Sequence, residues 1–167
     1  MPRPAPLLTD SPRMRLTVRV LGAVLILFVG ADHYYEYSVQ EYSLLPTIGT
    51  LFLLNFISAT AVGVLLLAPL DRIFRRFGNA VLKIAAVSGL GIAASSLAAL
   101  LVSEQTPLFG FMELNYRTAI LVALATEAAA AVCLGLLLLL TLRAGRTAGG
   151  SRTPIVEHAR PSAGVLS

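Results

Sequence analysis

The chain has 167 residues, of which 56% are hydrophobic and 13% are charged, and its mean hydropathy is +0.79. This composition excludes a soluble globular domain and indicates a membrane protein. Membrane spans would occupy most of the chain, which leaves too few residues for a separate catalytic domain. The net charge is +4, but the basic residues are dispersed without a binding module, so nucleic acid is not a predicted partner. Cys133 is the only cysteine, which excludes an intrachain disulfide.

Four apolar stretches predict an all-α protein, a bundle of four transmembrane helices. About 20 residues of helix cross the hydrocarbon, where lipid offers the backbone no hydrogen-bond partners. The sequence divides into a basic cytoplasmic N-terminal segment at residues 1–15, a membrane domain at 16–142 and a disordered cytoplasmic tail at 143–167. Within the membrane domain the spans are predicted at about 16–35, 45–70, 80–102 and 118–142.

The first span allows two interpretations. It carries Arg19, whose long side chain we expect to reach the inner headgroups. Its basic start and the small residues Val29, Gly30 and Ala31 also resemble a signal peptide with a cleavage site. Small residues are common in membrane helices, so we expect an uncleaved anchor. Cleavage, which would leave three spans, is the alternative.

The distribution of charge predicts the orientation. Twelve of the thirteen Lys and Arg residues lie at the start of span one, around the turn between spans two and three, or after span four. Only Arg117 lies on the other side, with all five tyrosines, which suit the headgroup region. The positive-inside rule therefore predicts a multi-pass protein of the plasma membrane with both termini in the cytoplasm.

Glu127 is the one acid deep in the predicted hydrocarbon, about 13 Å from the outer end of span four. An ionisable group at that depth is costly, so it marks a candidate binding or proton-relay site. The candidate layer comprises this acid, two polar residues at similar depth and three near the outer ends of spans one and three: Glu127, Asn55, Ser95, Asp32, His33 and Glu104.

Small residues recur at four-residue intervals on three spans, and we expect each stripe to face a partner helix. The stripes are Ala119, Ala123, Ala131 and Gly135 in span four, Ala59 and Gly63 after Asn55 in span two, and Gly91, Ser95 and Ala99 in span three. The stripe in span four includes Glu127, so we expect its carboxyl group to point into protein.

The polar layer has two open interpretations. In the structural one, a neutral Glu127 donates a hydrogen bond to Asn55 or to a backbone carbonyl and links helices. In the functional one, the layer binds or relays a proton, a cation or a polar headgroup that enters from outside. A single buried acid makes an incomplete relay, which favours the structural interpretation. His33 and His158 lie on opposite sides of the membrane, so no metal site or cofactor is predicted.

The stretches from Pro46 to Asn55 and from Leu108 to Phe111 resemble a group of small, uncharacterised four-helix bacterial membrane proteins. In that group a Pro-x-Ile-Gly-x-Leu-Phe-Leu-Leu-Asn motif opens span two, and Leu-Phe-Gly-Phe precedes span four. The resemblance implies membrane location and architecture, and it brings no established activity. Arg19 followed by Gly22 and Gly30 is similar, more loosely, to DoxX-like proteins. Small multidrug transporters use a glutamate in their first span, whereas the deep glutamate here is in the fourth.

No nucleophile with a base, phosphate-binding loop or metal cluster is evident, so we predict no enzymatic activity. The leading expectation is a non-enzymatic assembly or accessory component, whose partners are the lipid bilayer and either a second copy or another membrane protein. The alternative is a proton-coupled carrier or channel component that uses Glu127. A further alternative, implied by the DoxX likeness, is an accessory subunit of a membrane redox enzyme.

Overall fold

A computed structural model describes residues 12–109, 112 and 118–149 of this chain, with side chains to residue 145. Four long helices and one short helix follow in order: α1 (Pro12–Ser38), α2 (Pro46–Leu67), α3 (Leu70–Ile73), α4 (Gly78–Ser103) and α5 (Thr118–Gly149). Each long helix is apolar and long enough to cross a membrane. The predicted all-α architecture with four membrane spans is therefore confirmed.

The helix boundaries differ from the predicted ones mainly at the ends of the chain. α1 begins at Pro12, within the segment predicted to precede the first span. α5 continues to Gly149, so the prediction of a disordered tail from residue 143 is wrong for residues 143–149. Leu, Arg and Ala favour helix, and the first pair of glycines comes only at 149–150. The rest of the predicted tail and residues 1–11 lie outside the described residues.

The four long helices surround one core in the spatial order α1, α2, α4, α5. α1 packs most extensively against α2 and α5, α4 packs against α5, and the contact between α2 and α4 is smaller. We call the end where α1 leads into α2 and α4 leads toward α5 the tyrosine end, and the opposite end the arginine end. Leucines fill the core toward the arginine end and are at most 2% exposed: Leu66, Leu70, Leu137 and Leu140.

Arg19 stabilises the arginine end by capping α2. Its Nε donates a hydrogen bond of 2.6 Å to the carbonyl oxygen of Leu66, and its Nη2 donates to that of Ala68. The last carbonyls of a helix have no partner within the helix, so the guanidinium satisfies groups that lipid could not. Two of its nitrogens thus bind the end of α2, and the half-buried side chain of Arg19 lies at the arginine end of the bundle.

The centre of the bundle is occupied by Leu134 of α5, which is fully buried. A Cβ added to Gly22 of α1 would lie 3.0 Å from Cδ2 of Leu134, and one added to Gly89 of α4 would lie 2.8 Å from Cδ1. Because both residues are glycines, α1 and α4 leave room for the side chain of Leu134 from α5. Leu134 joins α1, α4 and α5 into one core.

The small-residue stripes are placed differently on each helix. On α2, Ala59 and Gly63 are buried, and a Cβ on Gly63 would lie 2.5 Å from Cγ of Leu27 on α1. Gly91 and Gly135 face no helix of the described bundle, since a Cβ at either would meet no atom of the described residues within 4 Å. On α5 the alanines are half-buried and on α4 the alanine is exposed: Ala119, Ala123, Ala131 and Ala99.

The reason is the pitch of the helix. Four residues advance an α-helix by about 40° more than a full turn, so a strict four-residue stripe winds off the buried face. Alternating steps of three and four residues stay on it. The buried face of α5 follows that pattern: Glu127, Ala130, Leu134, Leu137 and Thr141.

Candidate functional site

A cavity of about 410 Å³ lies toward the tyrosine end, between α1, α2, α4 and α5. Its volume is typical of small-molecule sites, and most of its lining is apolar. Leu51 and Leu54 of α2 line it and are 45% and 54% exposed, and the exposed Ser95 lines it from α4. The mouth of the cavity therefore lies between α2 and α4, the neighbouring helices with the smallest contact, on a side that faces lipid.

Three side chains from three helices meet at the wall of this cavity. The carboxyl group of Glu127 is buried, and its Oε1 accepts a hydrogen bond of 2.5 Å from Oγ of Ser96. The same Oγ lies 2.8 Å from Nε2 of His33, and Nε2 lies 3.8 Å from Oε1 of Glu127. We call His33, Ser96 and Glu127 the polar cluster.

The backbone of α1 fixes the ring of His33. Its Nδ1 lies 2.8 Å from the carbonyl oxygen of Val29, one turn earlier. A carbonyl oxygen only accepts, so Nδ1 carries a hydrogen and donates it. Nε2 is therefore the nitrogen that gains or loses a proton, and it faces Ser96.

The polar cluster accommodates one proton in two ways. In the first, Glu127 is neutral and donates to Oγ of Ser96, whose hydroxyl donates to a neutral His33. In the second, His33 is an imidazolium that donates to Oγ, and the hydroxyl of Ser96 donates to an ionised Glu127. Both arrangements satisfy every donor in the chain of hydrogen bonds and leave the cluster without net charge. A shift of two hydrogens along short bonds converts one into the other.

Two acceptor oxygens at the cavity have no hydrogen-bond partner among the described residues. They are Oε2 of Glu127 and Oδ1 of Asn55, and both atoms are buried. Each residue lies nine positions after the start of its helix, α5 or α2, which places both about 13 Å from the tyrosine end. Buried acceptors are rarely left unpaired, so both oxygens have unused capacity for a hydrogen-bond donor.

Aromatic rings close one side of the cavity. The ring of Phe52 on α2 stacks on Tyr42 with centroids 5.1 Å apart and planes at 10°. It also contacts the ring of His33, again at 5.1 Å between centroids. We call Tyr42, Phe52 and His33 the aromatic wall. Phe52 therefore packs against the imidazole, whose Nδ1 is held by the backbone of α1.

Five of the six residues predicted for the candidate layer line the cavity: Glu127, Asn55, Ser95, Asp32 and His33. The sequence prediction missed Ser96 and named its neighbour Ser95, whose hydroxyl donates to Ile92 of its own helix at 3.1 Å and is exposed. Adjacent helical residues point about 100° apart, so depth alone could not distinguish the two serines. The buried face of α4, with Ala86, Gly89 and Ala93 at three- and four-residue steps, continues to position 96 and was the available signal.

Glu104 does not line the cavity. It follows Ser103, the last residue of α4, and the lining from this end of α4 comes from Ser103 itself. The prediction that groups Glu104 with the candidate layer is therefore wrong for this cavity. The partner of Glu127 is likewise Ser96 rather than Asn55 or a backbone carbonyl.

Comparison of the chain with protein-family models, with curated proteins and with solved structures finds no match.

Proposed function

We propose that this protein is a proton-coupled carrier or channel component, in which the polar cluster exchanges a proton. One observation carries the proposal: Glu127 lines the cavity, and its buried carboxyl group is bonded to Ser96 through Oε1 while Oε2 has no hydrogen-bond partner among the described residues. A carboxyl group used only to link helices would have both oxygens hydrogen-bonded to protein.

His33 supplies the second titratable group that a proton relay requires. It is buried, within 3.8 Å of Glu127, and bonded to the same hydroxyl. The other titratable groups at the cavity are Asp32 and Glu36 from α1 and Tyr42 from the connection before α2, and α4 contributes no titratable residue to the lining. A proton that enters past these groups can move between His33 and Glu127 without a buried net charge.

We infer a non-enzymatic role from the order of the hydrogen bonds. In a hydrolytic triad the carboxylate holds the histidine nitrogen that faces away from the serine. Here a backbone carbonyl of Val29 takes that position, and Glu127 competes with His33 for the hydroxyl of Ser96. This arrangement favours proton sharing over activation of the serine as a nucleophile.

We propose that the arginine end lies in the cytoplasm of a plasma-membrane protein and that the cavity lies in the outer half of the bilayer. The support is the excess of basic residues around the start of α1, the connection between α2 and α4, and the end of α5. Protons and ligands would then reach the polar cluster from outside or from the outer leaflet.

Proton flux into liposomes that contain the purified protein tests the proposal. After a pH jump we expect wild-type protein to show flux and Glu127→Gln to show none, because an amide cannot release a proton. Thr126→Val is the matched control, since the hydroxyl of Thr126 bonds the carbonyl of Val122 of its own helix at 2.8 Å. The proposal would be abandoned if wild-type protein carried no pH-dependent flux and Glu127 kept one protonation state across physiological pH.

Association with a second copy or another membrane protein is the second candidate function. The observation in its favour is that Gly91 and Gly135 face away from the bundle, with no described atom within 4 Å of an added Cβ. Such positions allow close approach of another helix in a membrane. Native mass spectrometry of Gly91→Leu and Gly135→Leu tests it, and an unchanged wild-type oligomer in both variants would contradict it.

A further inference from the structure

We propose that the cavity binds a protonated organic amine with an apolar or aromatic body, and that one bound ammonium replaces the proton of the polar cluster. This inference rests on the proposed proton exchange at Glu127 and names the class of ligand coupled to it. It is carried by the charges, the unpaired acceptors and the aromatic wall of the cavity.

The charges of the lining favour a cation. Three acids line the cavity, Asp32, Glu36 and Glu127, and no Lys or Arg is among the lining residues. An anionic ligand would meet these acids without a permanent positive charge opposite them. A cation would meet the carboxyl group of Glu127 about 13 Å from the tyrosine end.

The unpaired acceptors favour a ligand with N–H donors. Oε2 of Glu127 and Oδ1 of Asn55 lie at similar depth and lack partners among the described residues. An ammonium group has only donors, which match these acceptors, whereas a carbonyl or ether ligand can bond neither. The ionised oxygen of Glu127 makes the stronger bond of the two.

The rest of the cavity suits the body of such an amine. The aromatic wall offers ring faces to a cation or to an aromatic group, and the remaining lining is largely apolar. The mouth between α2 and α4 faces lipid, so a membrane-soluble amine enters from the bilayer.

Charge balance then sets the stoichiometry. Before binding, one proton shared by His33 and Glu127 neutralises the site. When the ammonium binds, it pairs with ionised Glu127, His33 is neutral, and that one proton leaves to solvent. Retention of both cations would give the polar cluster and its ligand a net positive charge, which is costly to bury.

Titration calorimetry of the purified full chain with 2-phenylethylamine tests the inference. Runs in two buffers of different ionisation enthalpy give the number of protons released, and we expect one for each amine bound. The uncharged 2-phenylethanol has the same body and should bind at least about tenfold more weakly, as expected for the loss of a charge-assisted hydrogen bond. Equal binding of amine and alcohol, or amine binding without proton release, would overturn the inference.

Variants measure how much individual residues contribute to amine binding and to proton release. We expect Glu127→Gln to abolish proton release and to weaken amine binding at least about tenfold. Asn55→Leu should weaken binding several-fold while one proton is still released, and Thr126→Val should bind as wild type does. A melting temperature near wild type shows that each variant is folded. If Glu127 titrates in the absence of amine but no amine binds, this inference fails and the proposed proton exchange stands.

Discussion

At the scale of single residues, the hydroxyl of Ser96 links Glu127 and His33 through hydrogen bonds. It is the one group bonded to both in the described part of the chain, at 2.5 and 2.8 Å. Without it, the direct distance of 3.8 Å between Nε2 and Oε1 is too long for a hydrogen bond. The proposed proton exchange between the two residues therefore requires this serine or a water in its place.

Adjacent serines provide a matched test of that dependence. Ser96→Ala should shift the carbonyl-stretching band of Glu127 in the infrared spectrum, because the carboxyl group loses its hydrogen-bond partner. Ser95→Ala should leave the band in place, since Ser95 donates to the backbone of its own helix. Assignment of the band by its loss in Glu127→Gln completes the measurement. A shift with Ser95→Ala and none with Ser96→Ala would contradict the assignment of the cluster.

Part of this site was predictable from sequence, because hydropathy gives the depth of a residue in its span and the residue type gives its charge. Glu127 stands out because an acid in an apolar span is costly, and Asn55 follows from equal depth. His33 was predicted only from its position near the outer end of span one, because neither its bond to Ser96 nor its contact with Phe52 is encoded locally. Pairings between helices depend on rotation about the helix axes, which hydropathy does not specify.

At the scale of helices, glycines mark where two backbones or a backbone and a side chain approach closely. Gly49 in α2 is the sharpest case, because a Cβ there would lie 2.5 Å from the carbonyl oxygen of Tyr42 and 3.0 Å from Cα of Ser43. Both are backbone atoms, which cannot rotate away. Gly49 therefore fixes the turn that carries Tyr42 of the aromatic wall.

We expect Gly49→Ala to lower the stability in detergent by about 1–3 kcal/mol, as overpacking of a rigid site does. Gly91→Ala is the control, because an added Cβ meets open space there and Ala favours helix by up to about 1 kcal/mol. Thermal unfolding followed by circular dichroism measures both. Equal melting temperatures for the two variants would show that the turn does not pack on Gly49.

Arg19 connects α1 to the last carbonyls of α2. Arg19→Met keeps the apolar stem but removes the donors, and we expect a loss of about 1.5–3 kcal/mol for each charged bond that is not replaced by water. Arg13→Met is the control, since Arg13 is exposed near the start of the same helix. The same melting experiment checks this prediction, and a larger loss from Arg13→Met would contradict it.

At the scale of the whole molecule, the two halves of the bundle differ in how their interiors are filled. The half toward the arginine end is filled by buried leucines and capped by Arg19, whereas the half toward the tyrosine end contains the cavity. Composition predicted the four spans because hydropathy depends only on summed transfer energies. It could not predict the cavity, which arises where the small contact between α2 and α4 leaves space unfilled.

Labelling of single cysteines tests the orientation. In a Cys133→Ser background, a membrane-impermeant maleimide added to intact cells should label Gln40→Cys in the connection before α2 and not Asn79→Cys near the start of α4. Both positions are exposed, so access depends on the side of the membrane alone. The basic residues at the arginine end are the physical reason for the expected pattern. The reverse labelling pattern would place the arginine end outside.

The most direct test of the central claim is infrared titration of the Glu127 carboxyl group in ligand-free protein reconstituted in lipid. If the polar cluster exchanges a proton, the carbonyl-stretching band that Glu127→Gln removes should change in intensity across physiological pH. Its titration should also change in His33→Gln, because the imidazole no longer shares the proton. A band of constant intensity in wild type and in His33→Gln would show that Glu127 is a fixed hydrogen-bonding group between helices.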